Sequence, residues 1–158
     1  MSYEGPSPLR AAGAPGRLSG RVVGQLGTSE QFLLWALRRR VTDGGVVSPV
    51  LVHGFRLAFG LSLLEPALAA FTGFCAAVER SSARDLGLLP LTCPCVSADE
   101  ELLLALLATP RPAIAALRSR GLLAGPEATA SLGEAAARFA SLLARLDFGE
   151  AEAGGRPH

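Results

Sequence analysis

Between Ser48 and Arg80 the chain has four charged side chains, Arg56, Glu65, Glu79 and Arg80, among an apolar run that includes Val50, Leu51, Phe55, Phe59, Leu63, Leu64, Leu68, Phe71, Phe74 and Val78. Such a run has to be buried, and its punctuation says how. Ser48 followed by Pro49 marks a helix start: the hydroxyl accepts from a first-turn amide, and proline at the first helical position forfeits no hydrogen bond. The helix is expected to run to about Gly60, with Leu51, Phe55, Ala58 and Ser62 on one face and His53 and Arg56 on another. Ser62-Leu63-Leu64-Glu65 spells a capping box, with Pro66 in the same first turn. Beyond it Leu64, Ala67, Leu68, Phe71, Phe74, Cys75 and Val78 form a stripe, and Glu65, Thr72 and Glu79 recur opposite. The expectation is a central helical hairpin.

Leu57 to Val78 contains a single charge and, at about 20 residues, has the length to cross a bilayer. Glu65 and Pro66 sit in its middle, where a carboxylate costs roughly 2.5–3.5 kcal/mol on insertion scales. The run therefore reads as the core of a soluble protein. Membrane association through the 48–80 hairpin is kept as a weaker alternative.

A chain of 158 residues, 49% hydrophobic and 18% charged, suits one globular domain with a core of its own. All fifteen basic residues are arginine, with neither lysine nor asparagine in the sequence, a coding bias to which we attach no function. The net charge of +1 argues against a nucleic-acid binder. Charge is nevertheless uneven: Met1 to Arg56 has seven Arg against three acids (+4), and Leu57 to Pro110 has two Arg against six acids (−4). Complementary halves of this kind pack together or dimerise. Three cysteines and no secretory signal suggest a reducing cytoplasm. The organisation expected is a flexible N-terminal arm over 1–27, a single helical domain over 28–148 and a flexible C-terminal tail over 149–158.

Further helix signals run along the rest of the chain. Thr28-Ser29-Glu30-Gln31 resembles a capping box that opens a helix with Leu33, Leu34, Leu37 and Val41 in a stripe, closed by Arg38, Arg39 and Arg40 as complements to the helix dipole. Trp35 reads as core. After a turn over 81–87 and an extended Leu88-Leu89-Pro90-Leu91, Ser97 and Glu100 form the clearest capping box in the chain. It opens Leu102 to Ala108, apolar on every side and therefore central, which Pro110 and Pro112 stop. Ala113 to Arg120 is a short helix with Ile114 and Leu117 inward. Ser131 to Glu134 spells a further box, ahead of a Leu132, Ala136, Phe139, Leu143, Leu146 seam that would close a bundle or a dimer. Strand alternation is confined to Arg21-Val22-Val23. The fold class is all-α, a compact bundle of about six helices with disordered termini.

No phosphate loop, metalloprotease or serine-hydrolase motif occurs, nor a Cys-x-x-Cys. His53 is the one histidine away from the C-terminus and reads as a packing residue. Glu100 and Glu101 point apart, so capping suffices for them. Cys93-Pro94-Cys95 is where chemistry has a foothold, because two thiols just before a helix N-terminus gain thiolate character from its dipole. The triplet resembles the intramembrane motif of copper-transporting ATPases over three residues, but acids follow at once and nothing is carried over. Zinc is the alternative cofactor, with Cys93, Cys95 and His53 as the metal ligands. The functional expectation is a small cytoplasmic helical protein without catalytic activity, an adaptor or regulatory module whose partner is another protein or a second copy. Its rival is a thiol- or metal-dependent sensor or enzyme centred on Cys93 and Cys95.

Overall fold

The structure, a computed structural model, describes residues 9–11 and 17–154, with side chains through 147. Six helices dominate: α1 (Thr28–Thr42), α2 (Pro49–Phe59), α3 (Leu61–Ser81), α4 (Ala98–Ala108), α5 (Pro110–Ser119) and α6 (Pro126–Gly154). Four short strands accompany them: β1 (Leu9–Ala11), β2 (Leu18–Val22), β3 (Leu86–Leu88) and β4 (Cys95–Ser97). The class is mostly α, as expected.

The axis of the bundle is α3 against α6. The inward faces are those the spacing selects: Phe71, Phe74, Cys75 and Val78 on α3, and Leu132, Ala136, Phe139 and Leu143 on α6, are all buried. Phe139 joins an aromatic cluster, lying edge-on to Phe71 at 5.6 Å and stacked with Phe55 of α2 at 6.5 Å. The seam that could have served a dimer is thus filled by the protein's own α3. Helix α4 supplies Leu103, Leu104, Leu106 and Leu107 to the same core.

Ser48 caps α2 as its sequence implies, its hydroxyl accepting from the Leu51 amide at 3.2 Å. Other starts differ: at α1 the box is made by Gly27 and Glu30 in place of Thr28 and Gln31, the Gly27 amide donating to Glu30 Oε1 at 3.2 Å, and α5 begins at Pro110 in place of Ala113. The Ser62–Glu65 box does not form, because Gly60, at φ 79°, makes the break, and α3 begins at Leu61 with no side-chain cap. Only glycine takes that backbone conformation without strain. Pro66 then lies inside the helix and leaves the carbonyl of Ser62 without its amide, and Ser62 is exposed, so water can take the vacancy. Ser131 and Glu134 are likewise interior to α6, which starts at Pro126 and passes through Phe148-Gly149 to Gly154.

The described part of the expected arm is built into the fold. Strand β1 pairs in parallel with β3, Leu9 against Leu86, and β2 pairs antiparallel with β4, Leu18 against Ser97. Leu9 and Leu26 are buried. Strands this short are fixed by backbone pairing with a distant segment, which leaves no period-2 signature in the sequence. Four ion pairs join the basic segment to the acidic one, Arg10 to Asp85 (3.4 Å), Arg21 to Glu101 (3.2 Å), Arg38 to Glu100 (2.8 Å) and Arg40 to Glu79 (2.8 Å), so the complementary halves pack on each other within one chain.

Candidate functional site

The turn Cys93-Pro94-Cys95 is anchored from beneath by a buried ion pair. Arg38 projects from α1 and Glu100 from the first turn of α4, at 3% and 0% exposure. Arg38 Nε donates to Glu100 Oε2 at 2.8 Å and Nη2 to Oε1 at 3.0 Å, the forked geometry that matches guanidinium to carboxylate. The remaining acceptors are backbone carbonyls: Nη1 donates to Cys93 O at 2.8 Å and Nη2 to Cys95 O at 2.7 Å. Glu100 is saturated in turn, with the Ser97 amide donating to Oε1 (2.8 Å) and the Leu89 amide to Oε2 (3.1 Å). Burying two charges costs several kcal/mol each unless such bonds are made, so the arrangement holds only because every partner is present.

Pro94 offers no amide, and its carbonyl accepts from the Val23 amide at 2.7 Å. All three carbonyls of the turn are therefore clamped, two by one arginine. Ser97 and Glu100 form the expected capping box, the hydroxyl accepting from the Glu100 amide at 3.0 Å and donating to Gly87 O at 3.0 Å. Asp99 is bound by Arg84 at 2.6 Å and by the Gly87 amide at 2.9 Å. Burial alone would raise the Asp99 carboxyl, and the Arg84 guanidinium and Gly87 amide outweigh it, leaving the group below its ordinary range.

The Cys93 and Cys95 side chains are half-buried and unpaired. His53 sits exposed on α2, and among the described residues no three His, Cys, Asp or Glu side chains gather where they could hold a metal ion. The structure therefore keeps Cys93 and Cys95 on one turn and does not bring His53 to them. Cys75 is fully buried in the core, and desolvation pushes its thiol up to about 12, so it is inert as a nucleophile.

Sequence reasoning missed Arg38. The Arg38-Arg39-Arg40 triplet, read as a dipole complement, divides three ways: Arg38 goes inward, Arg39 binds Asp43 at the helix end (2.6 Å), and Arg40 reaches Glu79 on α3. A signal existed, since Arg38 lies four residues after Leu34 and so falls within the apolar stripe Leu34, Leu37, Val41.

A second feature is a surface. Leu57 and Leu61 are 74% and 68% exposed, and Val46, Val47 and Val50 also face solvent. Val50 and Leu57, seven apart, share the outer face of α2, and Leu61 opens α3 just past Gly60. Five of the seven large exposed apolar side chains among the described residues fall between Val46 and Leu61. Singly exposed apolar residues are ordinary, but such a concentration in one segment is not. Comparison with protein-family models, with curated proteins and with solved structures finds no match.

Proposed function

We propose that the protein acts by association with another protein, as an adaptor or regulatory module without catalytic activity, and that the outer face of α2 makes the contact. The observation that carries this reading is the exposed row Val46, Val50, Leu57 and Leu61. The inner face of the same helix buries Leu51, Phe55 and Phe59, so α2 is apolar on both sides while only one side is covered among the described residues. Apolar area left in water forgoes roughly 25 cal/mol per Å², which a partner's surface recovers. Arg56 and His53 beside the row give the polar rim that protein interfaces carry around an apolar centre.

The test places a photo-crosslinking amino acid at position 57 and, as a control, at position 134 on the exposed side of α6, in cells that make the protein. The reading expects discrete adducts from position 57 that disappear when Leu61→Glu is added. The same adducts from both positions, or none from position 57, overturn it. Sedimentation of the purified protein identifies a second copy of the chain as the partner if the wild type dimerises and Leu57→Glu does not.

A further inference from the structure

A groove of about 760 Å³ lies between β2, α4 and α5. Its floor is apolar and made of small residues, with Leu102 and Ala105 from α4 and Ala113 and Ala116 from α5. Its rim is basic: Arg17 and Arg21 flank one side and Arg120 the other. One carboxylate lines it, Glu101, already held by Arg21 Nη1 at 3.2 Å and Ser19 Oγ at 3.3 Å. Three arginines less one glutamate leave the lining at +2. Arg17 and Arg120 pair with no carboxylate among the described residues. Helix α5 strengthens the field, since Pro110 to Gly125 contains Arg111, Arg118 and Arg120 and no acid.

The strand along this groove is exposed. Among the described residues β2 pairs with β4 alone, through an irregular register, and its Arg21 and Val22 amides donate to Ser19 Oγ (3.2 Å) and Gln25 Oε1 (3.0 Å). Leu18 and Val22, at the two ends of β2, are 51% and 41% exposed, although β-branched and leucine side chains on a paired strand ordinarily find cover. An apolar trough with a basic rim suits a peptide whose alternate side chains are sorted between trough and rim.

From the charge of the rim and the apolar trough between its arginines, we propose that this groove binds an extended acidic peptide with alternating apolar residues, supplied by a partner protein. The apolar side chains enter the trough above Leu102 and Ala105, and the carboxylates meet Arg17 and Arg120. Leu18, which lines the groove, is covered by the peptide. The surface is separate from the outer face of α2, so the inference does not depend on the function proposed for that helix.

Fluorescence anisotropy decides it, using a labelled heptapeptide of alternating glutamate and valine, the same peptide with lysine for glutamate, and the full chain. The acidic peptide is expected to bind and the lysine peptide not to, with affinity falling as salt rises from low to about 0.5 M, where charges are screened within a few ångströms. Arg17→Ala with Arg120→Ala should weaken binding about fivefold to tenfold, as two rim charge pairs allow. Leu18→Ser, at an exposed position that leaves the melting temperature unchanged, should weaken it as well. Equal binding of both peptides, or acidic-peptide binding unmoved by the double arginine variant, overturns the proposal. Binding to phosphatidylserine vesicles that is lost in the same arginine variant, with no peptide bound, would overturn it in favour of an anionic lipid surface.

Discussion

Beneath the Cys93-Pro94-Cys95 turn the molecule buries an ion pair, and on the outer face of α2 it exposes leucine and valine. Each place inverts the ordinary partition of polar and apolar groups, and the two inversions differ in what satisfies them. Arg38 and Glu100 are satisfied internally, by each other and by backbone groups of Ser97, Leu89, Cys93 and Cys95. Leu57 and Leu61 meet nothing that covers them among the described residues. A buried charge with all its partners fixes conformation, whereas an exposed apolar row fixes nothing in the monomer and gains only from contact outside it. Removing a piece of the first should be costly, and removing a piece of the second nearly free.

The largest effect is expected at Arg38. Arg38→Met leaves Glu100 fully buried with only two amides, a loss of about 3–5 kcal/mol measurable by urea unfolding. Adding Glu100→Gln removes the stranded charge, so the double variant should recover a measurable part of that loss. The single variant should also free the carbonyls of Cys93 and Cys95 and speed their reaction with a thiol reagent, while Cys75 stays unlabelled until the protein unfolds. Unchanged stability in Arg38→Met would remove the contrast between the two regions.

Arg38 also shows where the sequence was legible and where it was not. Helices α2 and α4 were readable because their starts are local: Ser48 and Ser97 cap amides three residues away, and those bonds form as their spacing implies. The faces of α3 and α6 followed from periodicity, and Phe71, Phe74, Leu132 and Phe139 are buried accordingly. The Ser62 and Ser131 boxes misled because an identical local pattern can sit inside a helix once tertiary packing extends that helix past it. The pairing of β1 with β3 and the reach of Arg38 to Glu100, 62 residues on, are non-local and leave no spacing to count. At the Cys93-Pro94-Cys95 turn, sequence alone located the thiols and the cap but not the arginine that holds them.

The contrast sharpens within α2 itself, whose inner side is as tight as its outer side is open. A Cβ on Gly54 would lie far inside contact distance of the Trp35 ring, so the indole has to move. Gly54→Ala gains about 1 kcal/mol of helix propensity, and overpacking of this kind costs about 1–3 kcal/mol. The net expectation is a lower melting temperature, restored by adding Trp35→Leu, which vacates the position. A stabilised Gly54→Ala would show that α1 and α2 do not approach this closely.

Asp99 tests whether the neighbourhood of Glu100 responds to pH. Its carboxyl lies below its ordinary value of 3.8 in the folded protein, so the unfolded chain binds the proton first as the pH falls. Its contribution is present in full above the unfolded value and is lost on acidification through the folded one. Stability should therefore decline as the pH drops from about 5 toward 3, and Asp99→Asn should flatten the part of that slope due to this group. A slope identical in the variant would mean that Arg84 and the Gly87 amide do not hold the carboxylate.

The smallest effect on folding belongs to the outer face of α2, where a near-zero result carries the most information. Leu57 and Leu61 contribute little area to the protein's own core, so Leu57→Glu and Leu61→Glu should each change unfolding free energy by no more than about 0.5 kcal/mol. Glutamate is also a better helix former than most exposed replacements, so a loss cannot be laid to propensity. The row should therefore be replaceable in the isolated chain while association through it is abolished, and the two readings separate on one pair of variants. A loss of 2 kcal/mol or more, on the scale of about 2–5 kcal/mol for buried leucine, would mean that the face is covered by the protein's own chain. In that case α2 would be an internal helix on both sides, and the surface on which the proposed function rests would not exist.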